Sequence, residues 1–188
     1  MITIIGAGAL GSHVAMALRN FKQKVRVIDF DRIEQKNVMS QFHTRMGLSK
    51  NKAQALSQAM KGMFGTTIEA VPHKLTADNW SQLLMDAEVI IDCTDNIAAR
   101  KLIQEYYDEY GVPCIHGALA ADGTFARVVW DHLFQPDEET GDGATCEDGE
   151  HLPFFMMASA LLARSVQEFF NSGRKLSFQL TPKSVTQI

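Results

Sequence analysis

Residues 2–18 read ITIIGAGALGSHVAMAL: a β-branched run, three glycines spaced as GxGxxG, and then apolar residues at helical intervals. A strand that enters such a turn and leaves as a helix lets the backbone approach a pyrophosphate lying at the helix's positive end. Asp29 closes the next β-branched run about twenty residues later, where it can bond ribose hydroxyls. Gly6, Gly8, Gly11 and Asp29 therefore indicate a nucleotide with a ribose, and an NAD-dependent oxidoreductase would satisfy them as well as an ATP-using enzyme.

Outward from this turn, strand and helix patterns alternate. Strands are expected at residues 2–5, 25–30, 66–71, 87–93 and 113–119. Helices are expected near 10–21, from a Ser49 cap to about 63, at 77–85 and at 97–110. This order predicts an α/β, Rossmann-like doubly wound sheet, mostly parallel. The alternation in GTFARVVWD (123–131) and KLSFQL (175–180) predicts antiparallel strands in the C-terminal part. Residues 151–171 are apolar around most of a helical circumference, which predicts burial against the sheet or a second subunit. The whole of 1–188 is expected to form a single nucleotide-binding domain.

Composition narrows the function classes. With 46% hydrophobic and 21% charged residues the chain can build an ordinary soluble core, and a net charge of −4 lacks the basic stripe a nucleic-acid binder needs. No apolar run reaches membrane-spanning length, and the first residues enter a strand with no basic leader, so a cytoplasmic protein is expected. The three cysteines, Cys93, Cys114 and Cys146, form no CxxC pair, so no zinc is expected. Between Arg127 and Arg164 there are eight acidic residues and no Lys or Arg, which reads as a solvated acidic loop or as a cover that meets a basic partner.

The segment DFDRIEQKNVMSQFHTRMGLSKNKAQAL (29–56) brings Asp31, Asn37, Gln41, Arg45, Lys50 and Lys52 to the rim where the strands' carboxyl ends open. Hydride transfer needs no such set of cations and amides. Nucleotidyl transfer does, because negative charge grows on phosphate oxygens and on the leaving pyrophosphate. Lys50 and Lys52 could equally be solvated residues of a first helical turn. In IIDCTDNIAAR (90–100), Asp95 and Asn96 follow a buried strand across the crevice from the glycines. A carboxylate there suits Mg²⁺ shared with phosphates, and an Asp or Asn there also suits a helix cap. His43 and His116 have no metal-ligand spacing and are read as packing or surface residues, while Cys93 and Cys114 are read as small core residues.

GAGALG, DFD, NxxxQF with a downstream KxKA, and DCTDN, in this order over about residues 2–180, resemble the ubiquitin-activating-enzyme superfamily, especially its ThiF/MoeB-type adenylyltransferases. The resemblance implies an enzyme that binds ATP and Mg²⁺ and activates the C-terminal carboxylate of a small ubiquitin-like or sulfur-carrier protein ending in Gly-Gly. Acyl-adenylate and pyrophosphate are its products, and a homodimer is its usual assembly. Carried over by position, Gly6, Gly8 and Gly11 form the nucleotide turn, Asp29 holds the ribose, and Asn37 and Gln41 contact the nucleotide. Lys52 is the phosphate-stabilising lysine and Asp95 the Mg²⁺ aspartate.

Two departures stand out. The usual NxxRQ is here Asn37-Val38-Met39-Ser40-Gln41, with Arg45 a candidate replacement for the missing arginine. The N-terminal helix from which relatives often supply an arginine to a partner subunit's site is also expected to be missing. A degenerate member that binds nucleotide or carrier without catalysis is thus a second reading. Cys146 falls where some relatives carry a cysteine that accepts the activated tail, although Glu147, Asp148 and Glu150 would raise its thiol pKa.

Overall fold

The computed structural model describes residues 1–120, 122–134 and 149–188. Its frame is one eight-stranded sheet in the order β3-β2-β1-β4-β5-β6-β7-β8. Strand β1 (Ile2–Ile5) lies inside the sheet with all four residues buried, which is why its sequence is continuously apolar rather than alternating apart from Thr3. It pairs in parallel with β2 (Val25–Ile28) on one side and β4 (Val89–Asp92) on the other. In this register Ile5 stands beside both Ile28 and Asp92. The carboxyl ends of the three strands thus open at one level, and β3 (Ile68–Val71) and β5 (Cys114–Leu119) extend the parallel part outward.

The crossovers carry helices α1 (Ala9–Ala17), α2 (Lys52–Phe64), α3 (Trp80–Leu84) and α4 (Ile97–Tyr110). Local chemistry fixes their ends. Asn51 caps α2 by accepting from the Gln54 N–H at 3.0 Å, and Asn96 caps α4 by accepting from Ala99 at 3.0 Å. Gly65 and Gly111 close the same helices in the left-handed conformation. The expected Ser49 cap is therefore corrected to Asn51. Ser49 lies two residues earlier with φ 65°, the only non-glycine positive φ among the described residues.

β6 (Ala126–Trp130) and β7 (Phe178–Thr181) pair antiparallel, as the alternation predicted. A further antiparallel strand, β8 (Ser184–Gln187), turns back at Pro182-Lys183. All four of its residues are exposed, so no apolar alternation announces it. Helix α5 (Leu152–Ser172) packs on α1 and on β5 and β6. Phe154, Phe155, Leu162 and Val166 enter the main core there, each stabilising the fold by about 1.5–3 kcal/mol on burial. Met156 and Met157 remain exposed. Among the described residues no helix is long and apolar enough to cross a membrane.

Candidate functional site

The turn between β1 and α1 uses its glycines in different ways. Gly6 has φ +92°, and a Cβ there would lie 2.8 Å from the Cys93 carbonyl oxygen. At Gly11 an added Cβ would sit 1.9 Å from the Gly6 oxygen, so these two glycines let α1 close onto the turn and onto β4. A Cβ at Gly8 would meet nothing within 4 Å. Gly8 is the N-cap of α1 and no side chain among the described residues bonds the helix's first N–H groups, so this end can receive an anion. Between the glycines, Ala7 is held from both sides. Its N–H donates to Asp29 Oδ2 at 2.6 Å, and its carbonyl accepts from His43 Nε2 at 2.8 Å. The carbonyl can only accept, so His43 carries its proton on Nε2. Burial pushes the pKa of His43 down to about 4 and keeps the ring neutral.

Past β2, Asp29 also accepts from the Asp31 N–H at 2.8 Å. Burial raises its pKa, and these backbone donors and Lys52 oppose that rise. Asn51 Nδ2 donates to the carbonyls of Asp29 and Asp31 at 2.7 and 3.1 Å, tying the start of α2 to this loop. Lys52, the first residue of α2, places Nζ 3.1 Å from Asp31 Oδ2. Asn37 is buried in a short 3-10 helix, where its Oδ1 accepts from Glu34 N–H at 2.8 Å. Gln41 follows it with a buried Oε1 that has no hydrogen-bond partner among the described residues. Ser40 is fully buried. Arg45 is exposed on another 3-10 turn and does not line the cleft.

On the opposite rim Asp92 is fully buried. Its Oδ1 accepts from the Thr94 N–H and hydroxyl at 2.9 and 2.8 Å, and its Oδ2 pairs with His116 Nδ1 at 2.9 Å. Arg100 donates to the Thr94 carbonyl at 2.7 Å from Nη2 and to the Gly117 carbonyl at 3.2 Å, and its Nε lies 3.6 Å from Asp92. Burial alone would raise the Asp92 pKa, but His116 and Arg100 hold it below the usual carboxylate value. This network sets the path of the loop that presents Asp95, which is exposed at the cleft. Phe134 stacks on His116 with ring centroids 3.7 Å apart, which makes that histidine a packed core residue. Cys114 is buried and Cys93 half-buried, and burial pushes both thiols well up.

Both rims face a single cleft of about 1180 Å³. Gly6, Gly8, Asp29, Asp31, Asn37, Gln41, Lys52 and Asp95 line it, whereas Gly11 lies behind the turn. Sequence reasoning missed Arg32, Lys36, Lys74, Arg100 and Lys101, which line it too. Arg100 could have been found, since it stands four residues beyond the Asn96 cap, one turn into α4. Cys146 lies outside the described residues. Among the described residues no group of three or more His, Cys, Asp or Glu gathers as a metal cluster.

The chain is similar to known proteins in sequence and in fold. The sulfur carrier protein ThiS adenylyltransferase of Bacillus subtilis (strain 168) is 31% identical over 120 residues, covering 61% of this chain and 36% of that protein. The adenylyltransferase and sulfurtransferase MOCS3 of Aedes aegypti is 29% identical over 127 residues, covering 65% of this chain and 29% of that one. The chain thus spans about a third of these relatives' length. The crystal structure of E. coli MccB with ATP shares the fold at a TM-score of 0.77 and 17% identity, over all of this chain and 62% of that chain. PaaA does so at 0.75 and 16%, with the same coverage. The model of the ThiF family matches residues 1–163, and the chain belongs to that family.

Proposed function

We propose that residues 1–188 form an ATP-dependent adenylation domain. It activates the C-terminal carboxylate of a small ubiquitin-like or sulfur-carrier protein ending in Gly-Gly, and acts as a cytoplasmic homodimer. The observation that carries this reading is the convergence of the glycine turn, Asp29, Asn37, Gln41, Lys52 and Asp95 on one cleft. The family's relatives include adenylyltransferases for sulfur carriers.

In this reaction a carboxylate oxygen of the carrier attacks the α-phosphorus of ATP, the bond to the bridging oxygen breaks, and pyrophosphate leaves with the electron pair. No proton need move. Gly8 and the uncapped end of α1 receive phosphate oxygens, and Asp29 orients the ribose. Asn37 and Gln41 place the nucleotide, and the unpartnered Gln41 Oε1 is an acceptor ready for a ligand donor. Lys52 exchanges its Asp31 partner for phosphate and stabilises the charge that builds on the leaving group. Asp95 is the carboxylate that would hold Mg²⁺, which supplies charge neutralisation at the phosphates when bound. One protein carboxylate is enough for a cation that keeps water and phosphate among its ligands.

The test is ATP–pyrophosphate exchange with Mg²⁺ and a cognate carrier. Lys52→Ala or Asp95→Ala is expected to lower exchange by at least about a hundredfold, as expected for loss of a group that stabilises transition-state charge. Full exchange in both variants would overturn the assignment. Exchange absent in the parent chain with every Gly-Gly carrier supplied, while ATP still binds, would favour the non-catalytic reading.

A further inference from the structure

The cations of the cleft differ in what already holds them. Lys52 Nζ lies 3.1 Å from Asp31, Lys36 Nζ 3.4 Å from Glu34, and Lys74 Nζ 5.5 Å from the centre of the Phe30 ring. The Arg100 guanidinium is spent on the Thr94 and Gly117 carbonyls. Arg32 is different. It is exposed, it lines the cleft, and its one side-chain hydrogen bond among the described residues runs from Nη1 to the Ser49 carbonyl at 2.6 Å. The rest of its fork of donors is left for an anion, and a guanidinium fork matches phosphate geometry.

The backbone around Arg32 is built to keep it beside Lys52. Arg32 and Asn51 form an antiparallel bridge, Ile33 N–H donates to Lys50 O at 2.9 Å, and Lys52 N–H donates to Asp31 O at 2.8 Å. Ser49 N–H donates to Ile33 O at 2.9 Å, so the left-handed Ser49 is fixed from both its N–H and its carbonyl. The two positions at which the sequence pattern would seek an arginine for the phosphates do not supply one. Residue 40 is a fully buried serine, and Arg45 does not line the cleft.

We propose that Arg32 is the guanidinium that binds the outer phosphates of ATP and the departing pyrophosphate, in partnership with Lys52. The inference rests on the adenylation reading above for the identity of the anion. It predicts a selective defect, because Arg32 would touch the phosphate tail and not the nucleoside.

Calorimetric titration of the full chain with ATP, pyrophosphate and AMP, each with Mg²⁺, tests this. Arg32→Ala and Arg32→Gln are expected to weaken ATP and pyrophosphate binding by at least about tenfold, the loss of a charged hydrogen-bonded contact, with AMP affinity changed by less than about twofold. Arg32→Lys should fall between. Unchanged AMP affinity also shows that the variants are folded. The Gln variant keeps an N–H that can reach the Ser49 carbonyl without the charge. Parent-like ATP binding by that variant, or equal losses for AMP and ATP in any variant, would reduce Arg32 to a loop tie and overturn the proposal. A parent chain that binds ATP yet shows no exchange would sink the adenylation reading and leave the Arg32 ratio to decide this one. A parent chain that binds no ATP would sink both.

Discussion

Asp29 and Asp92 stand at the carboxyl ends of the two strands that flank β1, and they have opposite fates. Asp29 takes backbone N–H groups from Ala7 and Asp31, lines the cleft, and has its pKa raised by burial. Asp92 is wholly enclosed, does not line the cleft, and is held ionised by His116 and Arg100 despite its burial. One carboxylate belongs to the wall that a ligand meets. The other belongs to the frame that shapes the wall, and its hydrogen bonds to His116 and Thr94 and the nearby Arg100 guanidinium are what make its burial tolerable. Residues of the same type, one strand apart, are thus separated in role by what satisfies them.

The sharpest way to break this contrast is Asp92→Ala. It leaves the Arg100 guanidinium and the buried His116 Nδ1 without their anion, a loss expected to cost about 3–5 kcal/mol in denaturant unfolding. A cost below about 1 kcal/mol, the range of exposed ion pairs, would show that Asp92 is no part of the frame.

A second test uses protons. His43 has its folded pKa lowered from 6.5 to about 4, so between these values the unfolded chain binds the proton and the native state does not. Stability from this group is present above pH 6.5 and is lost as pH falls towards 4, by an amount on the order of 3 kcal/mol. Asp92, with a lowered pKa, loses stability in the same direction below the ordinary aspartate range. Asp29 has the opposite sign, because its raised pKa means that acidification restores stability lost at neutral pH. The unfolding free energy of the parent minus that of His43→Asn is expected to shrink steadily from pH 7 to pH 4.5. A difference that stays flat would mean that the native and unfolded chains protonate His43 alike, so that burial does not hold it as a neutral donor to Ala7 over this range.

Much of this division was legible in the sequence. The glycine spacing, Asp29, and the Asn96 cap are local features, and local chemistry puts them where the periodicity says. Gly11 needed only the knowledge that α1 must approach the strand closely. The frame was harder to read because it is non-local. His116 comes 24 residues after Asp92, and only the parallel register of β4 with β5 sets them side by side. The same holds for Arg32, whose hydrogen bond to Ser49 depends on an antiparallel bridge between two irregular segments. Ser49 itself looked like a cap because serine is a good one. The competing Asn51, two residues on, won because its amide also secures the carbonyls of Asp29 and Asp31. β8 escaped because an exposed edge strand needs no apolar pattern.

The smallest expected effect on stability sits in the wall and separates the two roles most cleanly. Gly8→Ala adds a methyl group where nothing lies within 4 Å, and Gly8 has a negative φ of −80°, so the folded chain should lose about 1 kcal/mol or less. That methyl nevertheless occupies the space through which phosphate oxygens would approach the first turn of α1. ATP affinity should therefore fall by about tenfold or more while the unfolding midpoint barely moves, the reverse of what Asp92→Ala produces. Gly11→Ala supplies the control within the same turn. Its Cβ would stand 1.9 Å from the Gly6 oxygen, so its loss of ATP binding should come with a loss of folded protein. Unchanged ATP affinity in a folded Gly8→Ala chain would place the phosphates elsewhere in the cleft, away from the end of α1.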